Sequence, residues 1–408
     1  MHSVRPPGLR PHRGEGGVVT RRNLALTFFL IGLTSYGGPA IVAQIRQVVV
    51  LKRRWLSEDE FQESLAFCQT IPGPIAVQTA AHIGWRMYGG LGEAIALTAY
   101  VLPAFGLMLV LSDAYFRFGS VPLVAAVFKG LGAVVVGIVA ESILSMTQTA
   151  LKDWRGVLIA SAAAAGFFTR QNTLLVLFGS AAVGALWIGG PPWRWGAGPA
   201  QEVAAPGKRT SWRKTVAWGS GVGLLFAALV AASGFLGPRF PALGLVMVKV
   251  NLLAFGGGYT AVALMYQQVV SSYAWLTAKE FIDGLALGQI TPGPVIVTAT
   301  FIGYKVGGIL GSAFATLCVF LPSSLLMAVL APQFQRIRRY AVVGAAVRGL
   351  LAAFIAMLFL VLWQVGKASL LDGPAVAMAL AALAALRLKV NPAWVILAAL
   401  GVAAVFFR

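Results

Sequence analysis

The sequence predicts an all-α, polytopic membrane protein: a bundle of transmembrane helices built from two inverted-topology repeats and containing broken helices. Composition gives the first indication. Of the 408 residues, 58% are hydrophobic and 11% are charged, whereas a soluble domain carries about 25% charged residues. The hydrophobic residues form long apolar segments, and a set of Gly, Pro and Trp residues recurs at a near-constant offset. Such a chain has too little polar surface for a soluble globule, so its apolar surface must contact lipid.

An internal repeat organises the chain. A Trp-Leu-Ser/Thr motif, a Gln followed by Pro-Gly-Pro, and a pair of glycines each occur once in each half. The motifs that match are Trp55-Leu56-Ser57 with Trp275-Leu276-Thr277, Gln69 with Gln289, Pro72-Gly73-Pro74 with Pro292-Gly293-Pro294, and Gly37-Gly38 with Gly256-Gly257. So many aligned positions at one spacing indicate a duplicated unit.

The chain divides into four parts: a basic cytoplasmic tail (1–22), the first transmembrane repeat (23–190), a cytoplasmic linker (191–215), and an extra helix plus the second repeat (216–408). Each repeat offers six apolar segments. Six crossings return the chain to its starting side, so the extra helix turns the second repeat upside down. We expect about thirteen membrane segments, or ten to twelve crossings if the Pro-Gly-Pro segments are re-entrant hairpins.

The net charge of +19 lies mostly in short basic runs between apolar segments, such as Arg21-Arg22 and Lys208-Arg209. This is the pattern of cytoplasmic loops under the positive-inside rule, and it places the N-terminus and the linker in the cytoplasm. The basic residues form no face interleaved with aromatic residues. We therefore expect the lipid bilayer, and not nucleic acid, as the macromolecular environment.

Two kinds of helix break recur in both halves. Proline removes a backbone donor, and glycine permits positive φ angles. Irregular backbone at membrane depth is tolerated only where protein or a watery cavity satisfies it, and paired breaks indicate a secondary transporter's substrate site. The candidate substrate-binding residues are Gly37, Gly38, Pro39, Gln69, Pro72, Gly73, Pro74, Gly256, Gly257, Gly258, Gln289, Pro292, Gly293 and Pro294.

The chemistry of these breaks suits an anion. A helix that restarts after Pro-Gly-Pro presents free N–H groups and the positive end of its dipole. The alternative is structural, since Gly and Pro also kink transmembrane helices and let them pack closely. The duplication of the breaks beside Gln69 and Gln289 favours a binding site.

Two further pairs of charged residues occupy equivalent repeat positions. Lys129 and Arg348 lie inside or beside apolar segments. Each is a candidate counter-charge to a dianion, or else it extends to the membrane interface from a helix end. Glu60 and Glu280 are candidates for gating or for a structural role at a helix N-terminus.

Several functional classes lack their sequence signals. The two cysteines, Cys68 and Cys318, lie in apolar surroundings, and no zinc-ligand spacing, Walker A loop or hydrolase elbow occurs. We therefore expect no metal, no cofactor and no enzymatic activity. A membrane-embedded enzyme would need clustered acids, bases or metal ligands, and a membrane scaffold would leave the duplicated breaks unexplained.

Specific motifs resemble the chromate ion transporter family in its long-chain, two-domain form. The resemblance covers residues 20–408 and is carried by Gly37-Gly38-Pro39, Trp55-Leu56-Ser57-Glu58, Cys68-Gln69 with Pro72-Gly73-Pro74, and Phe255-Gly256-Gly257-Gly258. It implies a multi-pass inner-membrane transporter that exports chromate, with the motif positions above as the binding residues. Sulfate or another oxyanion is the alternative cargo. The coupling mode, and whether the chain works as a homodimer, are left open.

Overall fold

A computed structural model describes residues 13–14, 17–36, 38–119, 121–189, 212–331 and 341–406. Most of the predicted linker and much of the basic tail therefore lie outside the described residues. Two short strands, β1 (Arg13–Gly14) and β2 (Gly17–Val18), pair antiparallel in the tail. The remaining described residues form helices and their connections, and five helices are long and apolar enough to cross a membrane. The predicted polytopic helical bundle is confirmed.

The helices of the two halves occur in the same order. The first half contains α1 (Arg21–Thr34), α2 (Gly38–Arg46, continued as a π-helix over Gln47–Lys52), α3 (Glu58–Thr70), α4 (Ile75–Phe118), α5 (Pro122–Ala150), α6 (Trp154–Phe168) and α7 (Thr173–Val183, continued as a π-helix over Gly184–Ile188). Next comes the unpaired α8 (Trp212–Ala232), which ends in a 3-10 turn at Ser233–Leu236.

The second half repeats this order helix for helix. It contains α9 (Phe240–Leu253), α10 (Gly258–Tyr266, continued as a π-helix over Gln267–Ser272), α11 (Ala278–Ile290), a 3-10 turn (Val295–Val297) leading into α12 (Thr298–Leu330), α13 (Ala341–Ser369), α14 (Gly373–Arg387) and α15 (Pro392–Phe406). Even the π-helical turns after α2 and α10 correspond.

The Pro-Gly-Pro segments reverse the chain instead of continuing across the membrane. The Arg86 guanidinium on α4 lies 3.0 Å from the Glu60 carboxylate on α3, whereas a continuous helix would separate these residues by about 40 Å. The second half has the same contact, with Lys305 Nζ 2.7 Å from Glu280 Oε1. In each half the segment is thus a re-entrant hairpin, as the sequence allowed.

A second reversal lies within α4 and within α12. The backbone leaves helical geometry at Tyr88 and Gly89, where Gly89 has a φ of +62°. Gly84 and Gly92 are in backbone contact, since a Cβ added at Gly84 would lie 2.2 Å from the Gly92 carbonyl oxygen. Each of these helices therefore has two arms, which we call α4a (75–88), α4b (89–118), α12a (298–307) and α12b (308–330).

The first apolar segment also turns back. The Gln44 amide on α2 donates to Thr34 Oγ1 at 2.8 Å, and its oxygen accepts from Ser35 Oγ at 3.0 Å. Both residues lie at the end of α1. Arg46, the last residue of α2, forms an ion pair at 2.8 Å with Glu58 at the start of α3. The Tyr88 hydroxyl at the base of the same hairpin donates to the Val19 carbonyl just before α1, so α2 returns to the side from which α1 starts. Segment 23–45, like 64–84, enters and leaves on one side.

Contacts along α4b show that the two repeats are inverted. Immediately before its start, the hydroxyl of Tyr88, the last residue of α4a, donates to the Val19 carbonyl at the base of the first repeat's hairpins. Near its far end, the Tyr115 hydroxyl donates to Asp283 Oδ2 at 2.7 Å, at the base of the second repeat's hairpin. Because α4b is about 45 Å long, these bases lie on opposite sides of the bundle.

The remaining helices interlock the halves. The hairpin of α6 and α7 packs on α13 of the second repeat, and the hairpin of α14 and α15 packs on α5 of the first. The long helices α5 and α13 also pack against each other. Each repeat thus completes the core of the other.

The reversal in α12 can be tested by a disulfide. The hydroxyl oxygens of Thr300 and Thr316 lie 2.7 Å apart, but a straight helix would separate these residues by about 24 Å. Thr300→Cys combined with Thr316→Cys, in a background with Cys68 and Cys318 replaced by Ala, should form a disulfide with a membrane-permeant oxidant. Mass spectrometry of a tryptic digest detects the bond, and each single cysteine is the control. Two thiols that stay free in the folded double variant would contradict the hairpin.

Candidate functional site

The helix breaks of the two repeats meet through a reciprocal pair of hydrogen bonds. The Gly73 N–H in the first Pro-Gly-Pro turn donates to the Ala254 carbonyl at 2.9 Å. The Gly293 N–H in the second turn donates to the Ser35 carbonyl at 2.8 Å. Each hairpin tip is thereby fixed to the broken first segment of the other repeat, and the structure brings all four breaks together.

The Pro-Gly-Pro tips require glycine. Gly73 has a φ of +115° and Gly293 a φ of +116°, a region that residues with a Cβ rarely adopt. A Cβ at Gly73 would lie 2.8 Å from Ser323 Oγ, and one at Gly293 would lie 2.8 Å from Ala104 Cβ. The tips are therefore in close contact with α12b and α4b, the crossing arms. The flanking prolines end one helix and begin the next.

Each glycine break lies between two helices. Gly256 and Gly257 have φ angles of +84° and +125°, and Gly258 begins α10. In the first repeat, Gly37 lies outside the described residues, while Gly38 and Pro39 are the first two residues of α2. Both breaks therefore end one helix and immediately start another.

Helix C-termini, which carry partial negative charge, and helix N-termini, which carry partial positive charge, both lie where the breaks meet. The C-termini of α1 and α9 point there, and their Ser35 and Ala254 carbonyls are already bound by the tip glycines. The N-termini of α2, α4a and α10 start there as well. Since the first N–H groups of a helix have no partner within it, these ends carry partial positive charge toward the same region. That polarity suits an anion, although the Gly73 and Gly293 amides themselves are occupied.

Each crossing arm contains a proline next to the residue that contacts a tip. Pro103 and Pro322 lie inside α4b and α12b. The buried Asn251 accepts a hydrogen bond from the Ser323 N–H at 2.7 Å and donates to Ser323 Oγ at 3.0 Å. It thereby provides a hydrogen-bond partner for the Ser323 N–H next to Pro322, as buried polar groups require. Sequence analysis did not single out Asn251, because no equivalent polar residue occurs in the first repeat.

The two repeat glutamines differ. Gln289 is buried, its Nε2 lacks a hydrogen-bond partner, and its side chain interacts with the Tyr259 hydroxyl next to the glycine break. Gln69 is exposed. A third glutamine, Gln78 on α4a, is fully buried and donates to the Pro72 carbonyl, with its Oε1 unpartnered. Gln69 and Gln289, which the sequence predicts to bind the substrate, therefore lie in different environments, and only Gln289 has a buried amide nitrogen without a hydrogen-bond partner.

A cavity of about 730 Å³ lies beside the first Pro-Gly-Pro tip. Its wall includes Pro72 at the tip, Phe255 at the glycine break, and Lys249 on α9, together with apolar residues of α7 and α13. Sequence analysis missed Lys249. The available signal was a lysine inside the apolar segment 242–265, which is unusual at membrane depth.

The two predicted counter-charges, Lys129 and Arg348, have different surroundings. Lys129 Nζ forms an ion pair with Asp372 Oδ2 at 2.5 Å, so its charge is already compensated. The hydrogen bond from Lys129, followed by that from the Ala375 N–H, holds the pKa of Asp372 below its usual value. Arg348 is exposed on α13, next to Val347 in the cavity wall. The structure does not bring Lys129 and Arg348 together as a pair around the breaks.

Glu60 and Glu280 lie at the bases of the re-entrant hairpins. Each closes a capping box, in which it accepts the N–H of Ser57 or Thr277 at 2.9 and 2.8 Å. Each also binds the cation on the returning arm, Arg86 or Lys305. These contacts hold the two arms of each hairpin together, at the end remote from the tip.

The geometry of the tips predicts that a methyl group will destabilise them. Gly73→Ala and Gly293→Ala should each lower the stability of the folded protein by about 1–3 kcal/mol, because the new Cβ clashes and the φ angle is strained. Thermal unfolding in detergent measures the effect. Gly366→Ala is the matched control, because a Cβ at Gly366 on α13 meets no atom within 4 Å. Equal unfolding temperatures for all three variants would contradict this description of the tips.

Comparison with known proteins agrees with the repeat. The family model for the chromate transporter matches residues 22–185 and 241–405. A chromate transport protein of Cupriavidus metallidurans is 31% identical, covering 90% of this chain and 88% of its own. A probable chromate transport protein of Synechococcus elongatus is 32% identical, covering 89% and 88%.

An uncharacterised transporter of Methanocaldococcus jannaschii is also 31% identical, covering 88% of this chain and 87% of its own. No solved structure matches the chain. The two regions that match the family model coincide with the two structural repeats, and the relatives span nearly the whole length. The chain is a multi-pass membrane protein that belongs to the chromate transporter family.

Proposed function

We propose that this protein exports chromate from the cytoplasm across the inner membrane, binding the dianion where the helix breaks meet. The observation that carries the proposal is the reciprocal contact of the breaks, Gly73 to Ala254 and Gly293 to Ser35. Relatives named as chromate transport proteins, which span nearly the whole chain, support the choice of substrate. The family supports transport rather than enzymatic catalysis, and no group of three metal-binding side chains occurs within the described part of the chain.

The inverted hairpins suggest how access alternates. The two cross-repeat hydrogen bonds are equivalent by the repeat symmetry, and the hairpins that make them enter from opposite sides. Separation of Gly73 from Ala254 would open the site toward one side, and separation of Gly293 from Ser35 toward the other. Both bonds are formed in this structure. Rigid-body movement of one repeat against the other around a fixed site is the usual behaviour of inverted-repeat transporters.

The membrane potential favours export. A potential of 100 mV contributes about 2.3 kcal/mol per elementary charge, so a dianion that leaves an inside-negative cell gains roughly twice that. Uniport is therefore sufficient in energy, and exchange or proton coupling is equally compatible.

Sulfate or another tetrahedral oxyanion is the alternative cargo. Backbone N–H groups and glutamine amides bind oxygen atoms without distinguishing the central atom, and Ile75, the first residue after the tip, adds no hydroxyl group. One relative is named only as an uncharacterised transporter. Competition of chromate flux by sulfate, molybdate and chloride separates these cargoes.

The test of the proposal is chromate flux into proteoliposomes with a defined membrane potential. The wild-type protein should move chromate, and Gln289→Ala should lower the flux by about tenfold or more, because a buried amide then no longer binds the anion. Gln69→Ala should have a smaller effect, since Gln69 is exposed. Gln62→Ala is the matched control, because Gln62 is an exposed glutamine that binds Glu58 at the hairpin base.

Two results would count against the proposal. Liposomes with folded wild-type protein that take up no more chromate than empty liposomes would refute the substrate. Normal flux in Gln289→Ala would refute the role of the breaks while leaving the substrate intact.

A further inference from the structure

Lys249 is a cation in the middle of a membrane-embedded helix. It lies five residues before Ala254, at the glycine break, and its ammonium is 3.3 Å from Gln268 Oε1 on the returning helix. Gln268 is buried, so this contact lies inside the protein. None of the ion pairs among the described residues includes Lys249.

The cavity beside Lys249 is otherwise apolar. Among the described residues of its wall, only Thr70 and Lys249 have polar side chains, and the Thr70 hydroxyl already donates to the Phe67 carbonyl. A charge at membrane depth with no carboxylate partner is costly, and such residues usually mark an ion pathway. An anion in the cavity would supply the missing partner.

The repeat symmetry makes the position of this charge informative. The residue of the first repeat that corresponds to Lys249 is Leu30, which is 53% exposed on the outer surface of α1. One repeat thus presents lipid-facing leucine and the other a cavity-facing cation. The fold does not require the lysine, since the equivalent helix forms without one.

We propose that the cavity beside the first Pro-Gly-Pro tip is an oxyanion-binding site, in which Lys249 provides the positive charge and the tip at Pro72 and the break at Phe255 form the inner wall. The proposal rests on the transport function above and adds the charged residue that the family motifs lack. A single lysine compensates half the charge of a dianion. This site would collect the anion on one side of the breaks only.

The concentration dependence of chromate flux in proteoliposomes tests this site. Lys249→Gln should raise the half-saturating chromate concentration by about tenfold or more, because the charge-assisted contact is lost. Lys249→Arg should retain most of the affinity, because it keeps the charge. Lys367→Gln is the matched control: this lysine lies near the end of α13 over the Trp363 ring, outside the cavity wall, and its loss should leave the half-saturating concentration unchanged.

Calorimetric titration of the detergent-solubilised protein with chromate, sulfate and molybdate separates failure of this site from failure of the transport proposal. If the wild type moves no chromate but Lys249→Gln weakens the binding of one of these anions, the site stands and the substrate is wrong. If Lys249→Gln binds and moves every anion as the wild type does, the inference is overturned. It is also overturned if Lys249→Arg loses as much affinity as Lys249→Gln, since the lysine would then act through packing, or if no anion binds the wild type.

Discussion

The structure depends on one constraint: backbone N–H and C=O groups inside a bilayer must find partners within the protein. At four breaks one helix ends and the next begins at membrane depth. These breaks leave backbone groups without partners in their own helices. The two repeats resolve this for each other. The tip glycine of each hairpin donates to the carbonyl that the other repeat exposes at its break. These two bonds join one half to the other, so the proposed binding region lies at the interface between the repeats.

This arrangement explains why glycine and proline cluster where they do. Proline ends one helix and starts the next, and glycine at positive φ turns the chain while leaving space for the neighbouring arm. Gly73 contacts α12b and Gly293 contacts α4b, so each tip packs directly against a crossing helix of the other repeat. A relative movement of the repeats would therefore change the contacts of the tips, and in the proposed mechanism this connects conformational change to the binding region. Ion pairs at the hairpin bases, such as Arg86 with Glu60, keep each hairpin intact.

Much of this fold could be predicted from sequence. Composition gave the membrane bundle, and the matched Gly and Pro motifs gave the repeat and the position of the breaks. The direction of the chain after each break could not be predicted, because hydropathy is the same for an apolar segment that crosses and for one that turns back. Only long-range contacts, such as Thr300 with Thr316, reveal the reversals. Lys129 and Arg348 were predicted as counter-charges because they occupy equivalent positions in the two repeats. A comparison of the repeats finds only such shared residues. Lys249 and Asn251 were not predicted, because each occurs in one repeat alone. The ion pair between Lys129 and Asp372 joins residues far apart in the sequence and could not be predicted either.

The central claim is that inverted repeats bring their broken backbones together around an anion. A density map of the full chain in lipid nanodiscs, recorded with tungstate as an electron-rich tetrahedral dianion, tests it most directly. We expect a strong density feature next to both Pro-Gly-Pro tips and the glycine breaks, on the side where Lys249 lies. Tungstate bound elsewhere, or breaks that face acyl chains on separate sides of the molecule, would contradict it.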